Sequence, residues 1–126
     1  TSNTISSIDG LSGSDYAYYA STESKLPDNI RTAFSRMGEL RVAVDAAQRA
    51  IQMLDEEQAG IYAEQERIRS NLGAVPEGSD MQRRYLASLA TQEDRLAAIA
   101  AERVTRQGEL TAARQALTSY VMSLTL

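Results

Sequence analysis

The sequence of 126 residues carries a formal net charge of −4, and 43% of its residues are hydrophobic and 24% charged. This balance excludes a disordered tail, and no apolar run approaches the roughly 20 residues that a membrane-spanning helix needs. The lack of cysteine and histidine excludes disulfide bonds, thiolate chemistry and the commonest general base. Because charges of both signs are interspersed on an acidic chain, we expect no nucleic-acid binding, which needs a concentrated basic face.

The N-terminal part of the chain predicts two short regions. Residues 1–14 are rich in Ser, Thr and Gly and predict an extended lead-in or linker. Residues 15–24 predict a short helix. Its three tyrosines, Tyr16, Tyr18 and Tyr19, leave two interpretations open: a local hydrophobic anchor, or a surface on which a ligand stacks.

A first long helix is predicted for residues 27–72, because Pro27 suits an opening turn and Asp28 complements the helix dipole. From Leu40 onward, core-type positions alternate in steps of four and three, which is the pattern of a coiled-coil seam. The seam positions are Leu40, Val44, Ala47, Ile51, Leu54, Gln58, Ile61, Gln65, Ile68 and Leu72, preceded after one phase slip by Ile30, Phe34 and Met37.

A turn is predicted for residues 73–78. Gly73 is expected at the C′ position of the first helix, and Pro76 cannot continue that helix. Ser79 and Gln82 have the spacing of a capping box, which predicts the start of a second helix. A stop and a start so close together predict an antiparallel return.

The second long helix is predicted for residues 79–125, and its seam matches the first in reverse order. Leu54 is expected opposite Ile99, and Val44 opposite Leu110. The expected fold is therefore all-α: a long antiparallel two-helix coiled-coil hairpin with a short N-terminal helix. The second seam consists of Tyr85, Leu89, Gln92, Leu96, Ile99, Arg103, Arg106, Leu110, Ala113, Leu117, Tyr120 and Leu124.

Beside the seam runs a stripe of mostly small residues, which is wider than an isolated helix pair requires. One interpretation is a docking surface for a second copy of the chain, giving a homodimer and a four-helix bundle, or for another part of the parent protein. The other is that alanine is simply a good helix former. The stripe comprises Ala43, Ala46, Ala50, Met53 and Gly60 in the first helix, and Leu86, Ala90, Ala97, Ala100 and Val104 in the second.

Five polar residues occupy seam positions: Gln58, Gln65, Gln92, Arg103 and Arg106. In a two-stranded hairpin such positions are half exposed, so that long side chains lay their stems on the seam and their heads in water. We expect them to set the register of the helices. The alternative is that the two arginines bind an anion or a carboxylate of a partner.

No catalytic, cofactor-binding or metal-binding residues are predicted. The acidic residues at 55–57, Glu64 and Glu66 indicate a solvated face, since bundle metal sites of the Glu-x-x-His kind need a histidine. Acidic neighbours dilute a group of four arginines near the turn, which could otherwise meet an acidic partner or a phosphate. These arginines are Arg67, Arg69, Arg83 and Arg84.

Several segments together resemble a known family: 64–72 (EQERIRSNL), 76–79 (PEGS), 84–86 (RYL) and 92–96 (QEDRL). They are similar to the helical hairpin of bacterial mucoidy-inhibitor-like proteins, and the resemblance extends over roughly residues 16–124. That family has no known function; its members are usually targeted to the cell envelope and combine β-rich regions with coiled coils. The resemblance implies a periplasmic or envelope location and brings no catalytic residues.

The function expected from these features is that of a non-enzymatic structural or protein-interaction module, a rigid coiled-coil arm of a larger bacterial protein. We expect a segment of a longer chain because no terminating signal precedes Leu126. The alternative is a coiled-coil insertion of an enzyme whose catalytic domain lies outside this segment. A third hypothesis, an arm that grips nucleic acid, is disfavoured by the net acidity.

Overall fold

The computed structural model describes residues 27–124. Within this range the chain is all-α: helix α1 spans Asp28–Leu72 and helix α2 spans Asp80–Ser123. The two helices account for 91% of the described residues, which contain no strand, and they pack against each other as a hairpin. The predicted fold class is confirmed. The predicted lead-in at 1–14 and short helix at 15–24 lie outside the described residues.

Helix α1 begins directly after Pro27, whose fixed φ suits an opening helical turn. The carbonyl oxygen of Pro27 accepts hydrogen bonds from the amides of Ile30 at 3.0 Å and Arg31 at 3.1 Å. Asp28 lies in the first turn, where a negative charge complements the helix dipole. It also forms an ion pair with Arg31 one turn later.

The end of α1 differs from the predicted one in its cap. The amide of Ala74 bonds to the carbonyl oxygen of Asn71 at 3.0 Å, so the last turn closes with a tighter i→i+3 bond. Gly73 does not adopt the left-handed conformation expected of a C′ glycine. The glycine that needs positive φ is Gly78, at 77°, where the chain turns into the second helix.

Helix α2 begins with a reciprocal cap. The hydroxyl of Ser79 accepts a hydrogen bond from the amide of Gln82 at 3.1 Å, as the capping-box spacing predicts. The side-chain oxygen of Gln82 reaches one residue further back than expected and accepts from the amide of Gly78 at 2.6 Å. Two amides at the start of α2 are therefore satisfied within the turn.

The described chain forms two compact units. The terminal unit comprises residues 27–49 and 106–124, and its buried side chains are almost all apolar. Val44 and Leu117 are each 1% exposed, and Met37 is fully buried. The buried hydrophobic residues of the terminal unit are Ala33, Met37, Val44, Ala47, Leu110, Leu117 and Val121.

The turn unit comprises residues 50–105 and contains the turn between the helices. Its buried hydrophobic residues are fewer: Ile51, Leu54 and Ile68 in α1, and Ile99 in α2. A polar residue, Gln65, is buried among them. The two units therefore differ in what their cores are made of.

The predicted seams correspond closely to the observed burial. Every predicted seam residue of α1 from Leu40 to Leu72 is buried or half-buried, and the same is true of α2 except for Arg103. The periodicity missed three buried residues: Ala33, Gly38 and Val121. Ala33 and Gly38 lie in the first part of α1, where the step pattern slips, and Val121 directly follows the predicted seam residue Tyr120.

Burial in the seam should decide how much a leucine contributes to stability. We expect Leu117→Ala, at a site 1% exposed, to lower the free energy of unfolding by about 2–4 kcal/mol through lost burial and a cavity. Leu86→Ala is a matched control on the same helix, 50% exposed, and should cost less than about 1 kcal/mol. Urea unfolding followed by circular dichroism measures both, and equal losses would contradict the seam.

Replacing either of two glycines with alanine should change the free energy of unfolding, in opposite directions for the two positions. Gly78→Ala should lower the free energy of unfolding by roughly 1 kcal/mol or more, because its φ of 77° is strained for an L side chain. Gly60→Ala should raise it by up to about 1 kcal/mol, because a Cβ there meets nothing within 4 Å in an exposed helix. The same urea titration measures both. Destabilisation by Gly60→Ala would mean that another molecule packs against that glycine.

Candidate interaction surface

Two acidic residues define the sides of the seam in the turn unit. At 3.6 residues per turn, Asp55 lies about 100° to one side of buried Leu54, and Glu57 about 60° to the other. On α2, Arg95 and Arg103 lie one turn before and one turn after buried Ile99, again on opposite sides. The four charged residues therefore flank one layer of the apolar seam.

Both acidic residues form bidentate ion pairs across the hairpin. Arg95 donates to the two carboxylate oxygens of Glu57 at 2.6 and 2.7 Å, and lies 4.0 Å from Glu102. Arg103 donates to the two oxygens of Asp55 at 2.9 and 3.4 Å. Bidentate geometry fixes the orientation of a guanidinium against a carboxylate, so these pairs specify which residues lie opposite one another.

These contacts shift the titration of the two carboxyl groups. The hydrogen bond from Arg103, aided by its positive charge, holds the pKa of Asp55 below its ordinary value of 3.8. The hydrogen bond and charge of Arg95 likewise hold the pKa of Glu57 below 4.5. Both carboxyl groups were expected to belong to a solvated acidic face. The overlooked signal was a pair of acidic residues beside the seam of α1, with two arginines at the facing positions of α2.

Among the glutamines at seam positions, Gln65 differs from its expected exposure. Gln65 is 1% exposed rather than half exposed, and its amide nitrogen donates to a carboxylate oxygen of Glu93 at 2.9 Å. The cross-helix hydrogen bond explains why the side chain can leave water. Gln92 is half-buried, and its side-chain oxygen is buried without a hydrogen-bond partner. Gln58 is half-buried, as expected.

The arginines considered as anion ligands are engaged by carboxylates of the chain itself. Arg103 is paired with Asp55, and Arg106 contacts Glu109 at 3.0 Å. Near the turn, Arg67 pairs with Glu64, while Arg83 and Arg84 lie 3.7 and 3.0 Å from Asp80. These local ion pairs leave little concentrated positive charge for a phosphate.

The residues of the small-residue stripe are accessible. Met53 is 60% exposed, Leu86 50% and Val104 74%, and Ala50 is half-buried. The remaining stripe residues are exposed: Ala43, Ala46, Gly60, Ala90, Ala97 and Ala100. The hairpin therefore leaves this surface uncovered by other described residues.

The two halves of the stripe face opposite sides of the hairpin. On α1 the stripe lies on the same side of Leu54 as Glu57. Met53 and Gly60, which are seven residues apart, occupy the same heptad position on that side. On α2 the repeat through Ala97 and Val104 lies on the side of Ile99 that carries Arg103. Because Glu57 and Asp55 mark opposite sides, no single flat partner covers both halves.

Other kinds of site are not found in the part of the chain that the structure describes. Among residues 27–124, no three acidic side chains lie close enough together to hold a metal ion. Neither α1 nor α2 is apolar enough over its length to cross a membrane. Comparisons with protein-family models, curated proteins and solved structures gave no match to this chain.

The cross-helix ion pairs predict a dependence of stability on pH. Because the pKa values of Asp55 and Glu57 are lowered in the folded chain, their contribution is complete at neutral pH. It is lost as the pH falls through those lowered values, below 3.8 and 4.5 respectively. Urea unfolding between about pH 6 and about pH 3 measures this slope.

The double variant Asp55→Asn/Glu57→Gln should show a shallower slope, because amides do not titrate in this range. Glu56→Gln is the control: this neighbouring residue contacts Gln52 of its own helix at 3.3 Å and should leave the slope unchanged. A double variant with the full wild-type slope would show that other carboxyl groups carry the acid sensitivity.

Proposed function

We propose that this chain is a non-enzymatic structural or protein-interaction module: a coiled-coil arm within a larger bacterial protein. The observation that carries the proposal is the pair of long helices packed as a hairpin, with uncovered apolar side chains beside the seam. A hairpin that buries one seam presents its other surfaces for contact with protein.

The α2 half of the stripe is the better candidate for self-association. It lies within the turn unit and ends in two exposed apolar residues, Leu86 and Val104. Tyr62, 54% exposed, lies on the same side of the seam, next to Asp55 in the heptad pattern. The alanines between the two ends, Ala90 and Ala97, allow a second helix to approach closely. An α2-to-α2 contact between two copies would bury all of these residues.

The setting proposed for this arm rests on resemblance. The segments 64–72 and 92–96 are similar to the hairpin of bacterial mucoidy-inhibitor-like proteins. In that setting the arm would belong to an envelope or periplasmic protein. Its partner would then be a second copy or another part of the parent chain.

Self-association can be tested with one charge placed on each surface. We expect the wild-type chain to dimerise at high concentration in analytical ultracentrifugation, and Ala97→Glu to weaken the dimer at least tenfold by burying an unpaired charge. Ala46→Glu changes the α1 half of the stripe, and Ala63→Glu changes an exposed site in neither half. Both controls should dimerise like the wild type.

Each result discriminates between the alternatives. Weakening by Ala46→Glu alone would move the contact to α1. A wild-type chain that stays monomeric throughout would exclude the second copy and leave another part of the parent protein as the partner.

A further inference from the structure

The turn unit contains a long stretch with very little buried apolar surface. We define the turn-side segment as residues 58–94. Of the hydrophobic residues that the structure describes as buried, Ile68 alone lies in this segment. Among its other seam positions Gln65 is buried, and the rest are half-buried: Gln58, Ile61, Leu72, Tyr85, Leu89 and Gln92. Since burial provides most of the stability of a helix pair, the segment is weakly held.

The polar residues of its seam lower the cost of separating the helices further. Gln65 is buried but would regain water on opening, so part of the gain from its hydrogen bond to Glu93 is offset. The side-chain oxygen of Gln92 is buried without a partner, and opening would hydrate it. Asn71 donates to the hydroxyl of Tyr85 at 3.3 Å, a long bond that water replaces easily.

The segment ends where both helices again have buried apolar residues in the seam. Leu54 is 7% exposed and Ile99 is fully buried. On either side of this layer lie the bidentate pairs Glu57–Arg95 and Asp55–Arg103. Arg95 faces Glu57 from α2 and also lies 4.0 Å from Glu102 of its own helix, and Glu56 adjoins Glu57 on α1. We call this arrangement the clasp: the apolar layer of Leu54 and Ile99 with the ion pairs Glu57–Arg95 and Asp55–Arg103 on either side.

We propose that the turn-side segment opens as a local unit while the clasp and the terminal unit stay closed. Opening separates the two halves of the segment, and each half then melts, because isolated helices of this length are marginal in water. The clasp stops the opening at Leu54 and Ile99. This inference goes beyond the proposed function, which needs only the closed hairpin.

Hydrogen exchange with mass spectrometry on the whole chain tests the proposal. Amides of residues 60–72 and 81–94 should exchange at least about tenfold faster than those of residues 40–50 and 108–120, after correction for intrinsic rates. Uniform protection along both helices would overturn it, because the hairpin would then open only by global unfolding.

A matched pair of substitutions tests the polar seam. Gln65→Leu should slow exchange in the turn-side segment by about tenfold, since it adds buried apolar surface there, and leave residues 108–120 unchanged. Gln52→Leu makes the same change at an exposed site of α1 and should have no effect. Equal slowing of the whole chain by Gln65→Leu would show that the segment does not open separately.

A second pair tests the clasp. Asp55→Asn/Glu57→Gln removes both ion pairs without changing side-chain volume, so fast exchange should extend past Leu54 toward residue 50. Glu56→Gln removes one charge from the same stretch and should leave the boundary in place. A boundary unchanged in the double variant would overturn the role of the ion pairs.

Discussion

The structure depends on the burial of one narrow apolar seam shared by two helices. Apolar positions alternating in steps of three and four keep one edge of each helix facing the other, and only that edge leaves water. The short turn at 73–79 makes the pairing antiparallel, because six or seven residues allow no other return. All other properties of the hairpin follow from this constraint, including the large exposed surface beside the seam.

Apolar and polar contacts have different roles within that seam. Burial of residues such as Leu117 and Val44 supplies the stability, since it scales with the area removed from water. The polar contacts supply position: Gln65 with Glu93, and Glu57 with Arg95, satisfy one another in one register only. Exposed ion pairs each contribute modestly to stability, and in the closed hairpin they also fix the alignment of the helices.

The seam could be predicted because its signal is repeated at every turn of both helices. Details that depend on the local geometry at a single position could not be predicted in this way. Gly73 and Gly78 both suit a helix end, and only the backbone shows that Gly78 has positive φ. The depth of Gln65 depends on a partner, Glu93, that lies far away in sequence. The ion pair of Asp55 was missed for the same reason: its position beside the seam matters only once the opposite helix is placed.

The opposite orientation of the two stripe halves constrains any assembly. A contact between like surfaces, α2 against α2, is related by a two-fold axis and closes after two copies. A contact between unlike surfaces, the α1 half against the α2 half, closes only as a ring, and otherwise each added copy presents a free surface again. Each half contains one glutamate that is already hydrogen-bonded within the hairpin: Glu57 by Arg95 in the α1 half, and Glu93 by Gln65 in the α2 half. A contact between like surfaces is therefore favoured over one between unlike surfaces, because it leaves no copy of the half it uses uncovered.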